Sequence, residues 1–322
     1  MLLGFYLHNL SPFILEIRPG FGLRWYGLAY VMAFACGYWL YSWLSKKGYS
    51  ELPPEQVGDF ITWAALFGVL LGGRLGYVLF YGLPLYLQNP LDIFKVWDGG
   101  MASHGGILGL VFFTLYYARK HKLSWPGIGD NLCVVAPIGL FFGRCANFIN
   151  GELYGHVSRV AWAVQFPKEL YEDGDLATQA AGQLSSVIPA DGTGMNGRFD
   201  SASSIIEFSR HNGQAREVLR QILQPRHPSQ IYEALLEGVV LFGALWFLRT
   251  KVRTPRGVIT GAFFILYAIL RIIGEVFRVP DAAMVGPFTR GQFLSLFMFL
   301  IGAAFIAYGL KTRHYERAQQ RA

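Results

Sequence analysis

Apolar runs of about 20 residues recur along the whole of this 322-residue chain, and an α-helix of that length crosses the hydrocarbon core of a bilayer. This recurrence restricts the fold more than anything else in the sequence. Backbone amides find no water in that layer, so each run must be helical or covered by protein. Hydrophobic residues make up 53% of the chain and charged residues only 15%, against roughly 25% charged in an ordinary soluble domain. The chain therefore reads as an all-α polytopic membrane protein, one integral membrane domain over residues 1–322, from which no soluble domain of ordinary size can be cut.

Seven spanning helices are expected, at about Trp25–Leu44, Val57–Tyr81, His104–Tyr117, Gly127–Phe148, Gln230–Leu248, Gly257–Phe277 and Gln292–Leu310. The third is short, and the mixed stretch YLQNPLDIFKVWDGGMASHGG before it reads as lying on or dipping into the interface. The first 20 residues lack the basic start and small-residue cleavage site of a signal peptide.

In such a chain a net charge of +7 is first a signal of topology, not of nucleic-acid binding. One set of short loops carries Lys46, Lys47, Arg119, Lys120, Lys122, Arg249, Lys251, Arg253, Arg256, Lys311, Arg313, Arg317 and Arg321. The opposite set carries only Arg18, Arg24, Lys95, Arg278 and Arg290. The excess of basic residues marks the cytoplasmic side. The N-terminus is then extracytoplasmic and the C-terminus cytoplasmic, and residues 151–227 form an extracytoplasmic loop or cap between the fourth and fifth spans. Cys36, Cys133 and Cys145 all fall in apolar runs, and their odd number speaks against a disulfide scaffold. The sequence has neither metal-ligand spacing nor a Gly-rich phosphate loop.

Ionisable side chains inside spans are costly and default to function. The inventory is Arg74, His104, Arg144, Glu152, Glu233, Glu237, Arg271 and Glu275, with Arg278 at the edge. Arg271, Glu275 and Arg278 share one helix face. They read either as a structural Arg–Glu pair or as a site with a positive remainder suited to an anion, which an arginine fork binds bidentately. Arg144 has no acid nearby before Glu152, so it either snorkels to the interface or belongs to an anion- and hydroxyl-binding turn with Asn147, Asn150 and the glycines around them. His104 reads as a structural histidine or as a proton acceptor near neutral pH. Tyr26 reads as an interface aromatic or a pocket wall.

The stretch GRCANFINGELYG, Gly143–Gly155, resembles the signature G-R-x-[GA]-N-F-x-N-x-E-x-x-G of the prolipoprotein diacylglyceryl transferase family, with every fixed position present. Further similar blocks follow the family order: WYGLAY at Trp25–Tyr30, GGRLGYVLFY at Gly72–Tyr81, VWDGGMASHGG at Val96–Gly106, RHPSQIYEALLEG at Arg226–Gly238 and LRIIGEVFRVPD at Leu270–Asp281. The resemblance covers about Leu10 to Leu310 and is weakest over Lys168–Ile222.

The resemblance implies a bacterial inner-membrane transferase of lipoprotein biosynthesis. It would move the sn-1,2-diacylglyceryl group of phosphatidylglycerol onto the lipobox cysteine thiol of a preprolipoprotein, giving a thioether and glycerol 1-phosphate. It implies no metal or nucleotide cofactor and no nucleic-acid partner. On this reading His104, Arg144 and Arg271 are catalytic. Arg144, Arg271, Tyr26, Asn147, Glu152, Gly155 and Arg74 hold substrate, while Glu233, Glu275 and Arg278 orient them. The rival readings are a transporter or flippase for a lipid or small anion, which would place charge near the membrane midplane, and a noncatalytic scaffold.

Overall fold

The computed structural model describes residues 4–18, 20–95, 99–188, 199–280, 284 and 286–316. Val96–Asp98, residues 189–198 of the expected cap, Asp281, Arg317 and Arg321 therefore lie outside the described residues. The fold is mostly helical. Five helices among the described residues are long and apolar enough to cross a membrane: Pro54–Phe80, Trp125–Asn150, Ser229–Lys251, Val258–Glu275 and Gly291–Thr312. Helices Trp25–Lys46 and Ser103–His121 occupy the first and third expected positions.

The chain forms two compact units. The first contains residues 1–32, 139–240 and 267–297. Phe13–Arg18 and Phe21–Arg24 pair there as an antiparallel hairpin, and Tyr6–Leu7, Val164–Gln165 and Pro225–Arg226 form a small three-stranded sheet. The sequence pattern assigned no element to the hairpin. Helices Gly174–Val187, Ala202–His211 and Gly213–Ile222 follow in this unit. The first is capped by Asp173, the second by Ser201 and the third by Asn212, each side chain accepting a backbone N–H of the first turn. Their apolar faces close over Leu170, Leu184, Ile205 and Leu219, all essentially fully buried. This segment of mixed composition thus carries its own core.

The second unit contains residues 33–138, 241–266 and 298–322. Helices Pro54–Phe80 and Ser103–His121 meet here along glycines. A Cβ on Gly72 would stand 2.8 Å from the Cα of Gly109, so only small residues permit this approach, which van der Waals packing rewards inside a membrane. The middle of the first helix, Ala64–Leu71, is π-helical. Asp130 is fully buried and accepts hydrogen bonds from the Gly257 and Thr260 amides and the Thr260 hydroxyl, each at 2.8 Å. A neighbouring helix thereby satisfies the orphan donors at the start of Val258–Glu275. Outward faces are apolar, with Phe112 67% exposed, the reverse of a water-soluble surface.

Arg74 departs from the expected role. Its guanidinium and Nε donate to the carbonyls of Asp92, Ile93, Lys95, Gly99 and Gly100, and it stacks over Tyr86 at 5.2 Å. Arginine has five N–H donors, and backbone carbonyls take all of them. Arg74 clamps the segment after its helix and has no donor left for a substrate phosphate.

Candidate active site

The signature stretch begins inside helix Trp125–Asn150 and ends beyond it. Gly151, at φ +67°, terminates the helix. Its N–H donates to Phe148 O at 2.8 Å and the Glu152 N–H donates to Asn147 O at 3.1 Å. This is the paired closure of a Schellman turn, which calls for glycine at the left-handed position. His8 braces the turn from below, its Nε2–H donating to Phe148 O at 2.8 Å. Burial drives the His8 pKa down from 6.5 to about 4, with the Phe148 carbonyl opposing only in part.

The turn swings Glu152 back over its own helix. Its Oε1 accepts from Asn147 Nδ2 at 3.0 Å and from the Tyr26 hydroxyl, which itself accepts from Asn147 Nδ2. Lys168 lies 3.5 Å from the other oxygen. Tyr26, Asn147 and Glu152 therefore form one closed triad. Behind it, Gln230 Nε2 donates to Glu152 O at 2.6 Å and Ser229 Oγ to Leu153 O at 2.8 Å. Gly155 is fixed by close packing: its N–H donates to His227 O at 2.8 Å, and a Cβ would stand 2.7 Å from His227 Cβ.

A second group lies one helical turn and more back from this triad. Arg144 Nη1 lies 2.9 Å from Glu233 Oε2, and its Nε and Nη2 donate to Glu237 Oε2 at 3.1 and 3.0 Å. Arg271 Nη1 donates to Glu233 at 3.1 Å and Glu237 at 3.3 Å, and Nη2 pairs with Glu275. Arg278 Nη1 donates to Glu233 at 3.3 Å. The glutamates are buried at their side chains, while Arg144 and Arg271 keep 15% and 13% of theirs accessible.

Local backbone explains the approach. Ala234–Val240 is a π-helical turn carrying Glu237, a widening frequent at functional sites. A Cβ on Gly238 would stand 2.7 Å from Phe141 Cβ, so glycine lets this helix close on that of Arg144. Gly274 gives Glu233 room in the same way, a Cβ there standing 3.3 Å from Glu233 Cγ.

Two expectations change here. Arg144 is not without an acid, because Glu233 and Glu237 reach it from another helix. Among the described residues the arginines have no positive remainder either: Arg144, Arg271 and Arg278 face Glu233, Glu237 and Glu275, three charges against three. Glu237 is the member that the sequence placed in the inventory but not in the site. Two carboxylates one helical turn apart in an apolar span each require a cation, and that was the available signal. Arg144 spends three of its N–H donors on glutamates, leaving two directed elsewhere. His104 lies in the other unit, exposed in the first turn of Ser103–His121, as does Arg74.

The model of the family described as prolipoprotein diacylglyceryl transferase matches residues 12–308. A phosphatidylglycerol–prolipoprotein diacylglyceryl transferase of Bdellovibrio bacteriovorus is 42% identical, over 92% of this chain and 92% of the relative. Relatives of the same name from Nitratidesulfovibrio vulgaris and Neisseria gonorrhoeae are 39% and 37% identical, covering 91% and 95% of this chain and 92% and 99% of their own.

Proposed function

The chain belongs to the prolipoprotein diacylglyceryl transferase family, and on that premise we propose how its residues perform the family's reaction. The protein is a multi-pass membrane transferase that moves a diacylglyceryl group from phosphatidylglycerol to a prolipoprotein, the first step of lipoprotein maturation. The acceptor is the thiol of a lipobox cysteine. Its sulfur attacks the glyceryl carbon that carries the phosphate, the carbon–oxygen bond breaks, and glycerol 1-phosphate leaves with the electron pair. The thiol proton passes to a base, and the sn-1,2-diacylglyceryl thioether remains.

The observation that carries this reading is the pair of partly accessible arginines held by buried glutamates. A guanidinium fixed in place costs no reorganisation when charge develops on a leaving phosphate. The free donors of Arg144 and Arg271 grip the headgroup phosphate, and Glu233, Glu237, Glu275 and Arg278 position them. Tyr26, Asn147 and Glu152 contact the glycerol hydroxyls. His104 is the thiol base, a role resting on its place in the family-like block Val96–Gly106 and on the need for thiolate at neutral pH. Near-normal turnover by His104→Gln on a purified thiol peptide would remove it.

Seven spans, with the N-terminus extracytoplasmic and the C-terminus cytoplasmic, complete the proposal. Helices at all seven expected positions and the bias of Lys and Arg among the loops support it. The helices over 174–222 then form part of an extracytoplasmic cap. The deciding experiment mixes phosphatidylglycerol with a lipobox peptide and follows glycerol phosphate release and peptide mass. Coupled release and diacylglyceryl mass gain, both lost in Arg144→Ala, support the reading. Lipid binding by the folded native chain without transfer would favour the flippase instead.

A further inference from the structure

The second unit carries a groove of about 900 Å³ along helices Pro54–Phe80 and Ser103–His121. One wall is a ridge of Trp63, Phe67, Leu71 and Leu75, each one turn from the next. The other includes Phe112 and Tyr116. From Asp59 to Leu75 an ideal α-helix would rise about 24 Å; the π-helical turns over Ala64–Leu71 shorten this, and the length still exceeds one leaflet of a hydrocarbon core about 30 Å thick. The groove is apolar along this length and charged at one end only, where Asp59, Lys120 and His121 line it.

Asp59 and Lys120 are exposed and make no ion pair with each other or with another described residue. Lys120 Nζ instead lies 5.8 Å from the centroid of the Tyr116 ring, and the His121 ring stacks on Tyr117 at 4.2 Å. Opposite charges that line one groove without pairing suit a ligand carrying both signs.

We propose that this groove is a binding site for a zwitterionic phospholipid with a primary-ammonium headgroup, its acyl chains along the aromatic walls, its phosphate at Lys120 and its ammonium at Asp59. The site shares no residue with the arginine cluster, and its occupant is not the diacylglyceryl donor. An anionic lipid would meet Lys120 but face Asp59 unfavourably.

The test is native mass spectrometry of the detergent-purified full chain titrated with equimolar phosphatidylethanolamine and phosphatidylglycerol. Transfer activity and thermal stability are followed in the same preparations. Asp59→Asn should lower the ratio of retained phosphatidylethanolamine to phosphatidylglycerol about threefold to fivefold relative to the native chain, whose arginine cluster holds the donor lipid in both, the scale of one exposed charge contact. Lys120→Ala should lower retention of phosphatidylethanolamine, with transfer and stability unchanged. A ratio unchanged by Asp59→Asn overturns the proposal. So does a preference for phosphatidylglycerol lost in Lys120→Ala, which would assign an anionic lipid. Loss of transfer by the native chain bears instead on the functional reading and leaves lipid retention to be read independently.

Discussion

Arg144 and Glu237 stand 93 residues apart in the chain, and the arginine donates through both Nε and Nη2 to one oxygen of the glutamate. The other oxygen accepts from Arg271, so a single carboxylate joins both guanidinium groups. Removing one member of a buried ionic set leaves an uncompensated charge, at about 3–5 kcal/mol. Glu237→Ala should lower thermal stability in detergent by about that amount, and Glu237→Gln, which keeps shape and one acceptor, by clearly less. Equal losses in the two unfolding curves would show that the carboxylate charge does not hold the cluster.

Arg144→Ala and Arg271→Lys should each lower transfer by about 10²–10³-fold, the scale for loss of a preorganised donor to developing negative charge. The lysine variant is the sharper test. An ammonium is a point charge and cannot contact Glu233, Glu237 and Glu275 while presenting a further donor. Peptide mass gain per unit of folded enzyme is the readout. Substantial transfer by Arg271→Lys would sink the requirement for a fork.

His8 predicts a pH dependence of stability. Its pKa is about 4 when folded, against 6.5 for a free imidazole, so the unfolded chain takes up the proton first as pH falls. Stability held through neutral His8 is therefore complete above about pH 6.5 and declines toward pH 4, by up to about 1.4 kcal/mol per pH unit. His8→Gln keeps a donor for Phe148 O and removes the titration. The difference between native and variant melting profiles should change only inside that window.

Gly155→Ala should be worse tolerated than Gly151→Ala. At Gly155 a methyl meets His227 Cβ and the backbone oxygen of the same residue at 2.7 and 2.9 Å, an overpacking cost of about 1–3 kcal/mol or more. At Gly151 the strain is left-handed backbone, about 1–2 kcal/mol, with His8 ring atoms at 3.0 Å able to shift slightly. Denaturant unfolding of the two variants gives the ranking.

Arg74→Lys should loosen the segment after helix Pro54–Phe80 without altering the apparent affinity for phosphatidylglycerol. Five carbonyls converge on one guanidinium, and each buried acceptor left unpaired costs about 1–3 kcal/mol. Limited proteolysis over residues 83–100 should accelerate while KM for the lipid stays near native. A raised KM with unchanged proteolysis would return Arg74 to a ligand role.

The helices were legible because apolar runs and helix length obey one constraint, the thickness of the bilayer. The turn after Asn150 was legible too, since its glycines, asparagines and glutamate lie within one short stretch. What escaped was non-local or carried by backbone. Arg144 seemed unpaired because its acids sit on a helix more than 80 positions later, brought close by the absence of a side chain at Gly238. Arg74 reads as functional in the sequence because its partners are carbonyls, which every residue possesses and no sequence displays. The hairpin Phe13–Arg18/Phe21–Arg24 gives only weak alternation, and Ile14, Leu15, Ile17, Phe21 and Leu23 are exposed on its two strands.

The matching of three arginines by three glutamates among the described residues also bears on how a headgroup would find its place. Cations neutralised at contact distance project little field beyond the cluster, so they cannot draw an anion in from afar. Recognition then falls to donor geometry at close range. Since a Debye length of about 8 Å governs only exposed and distant charges, capture of the lipid by this cluster should be almost indifferent to ionic strength.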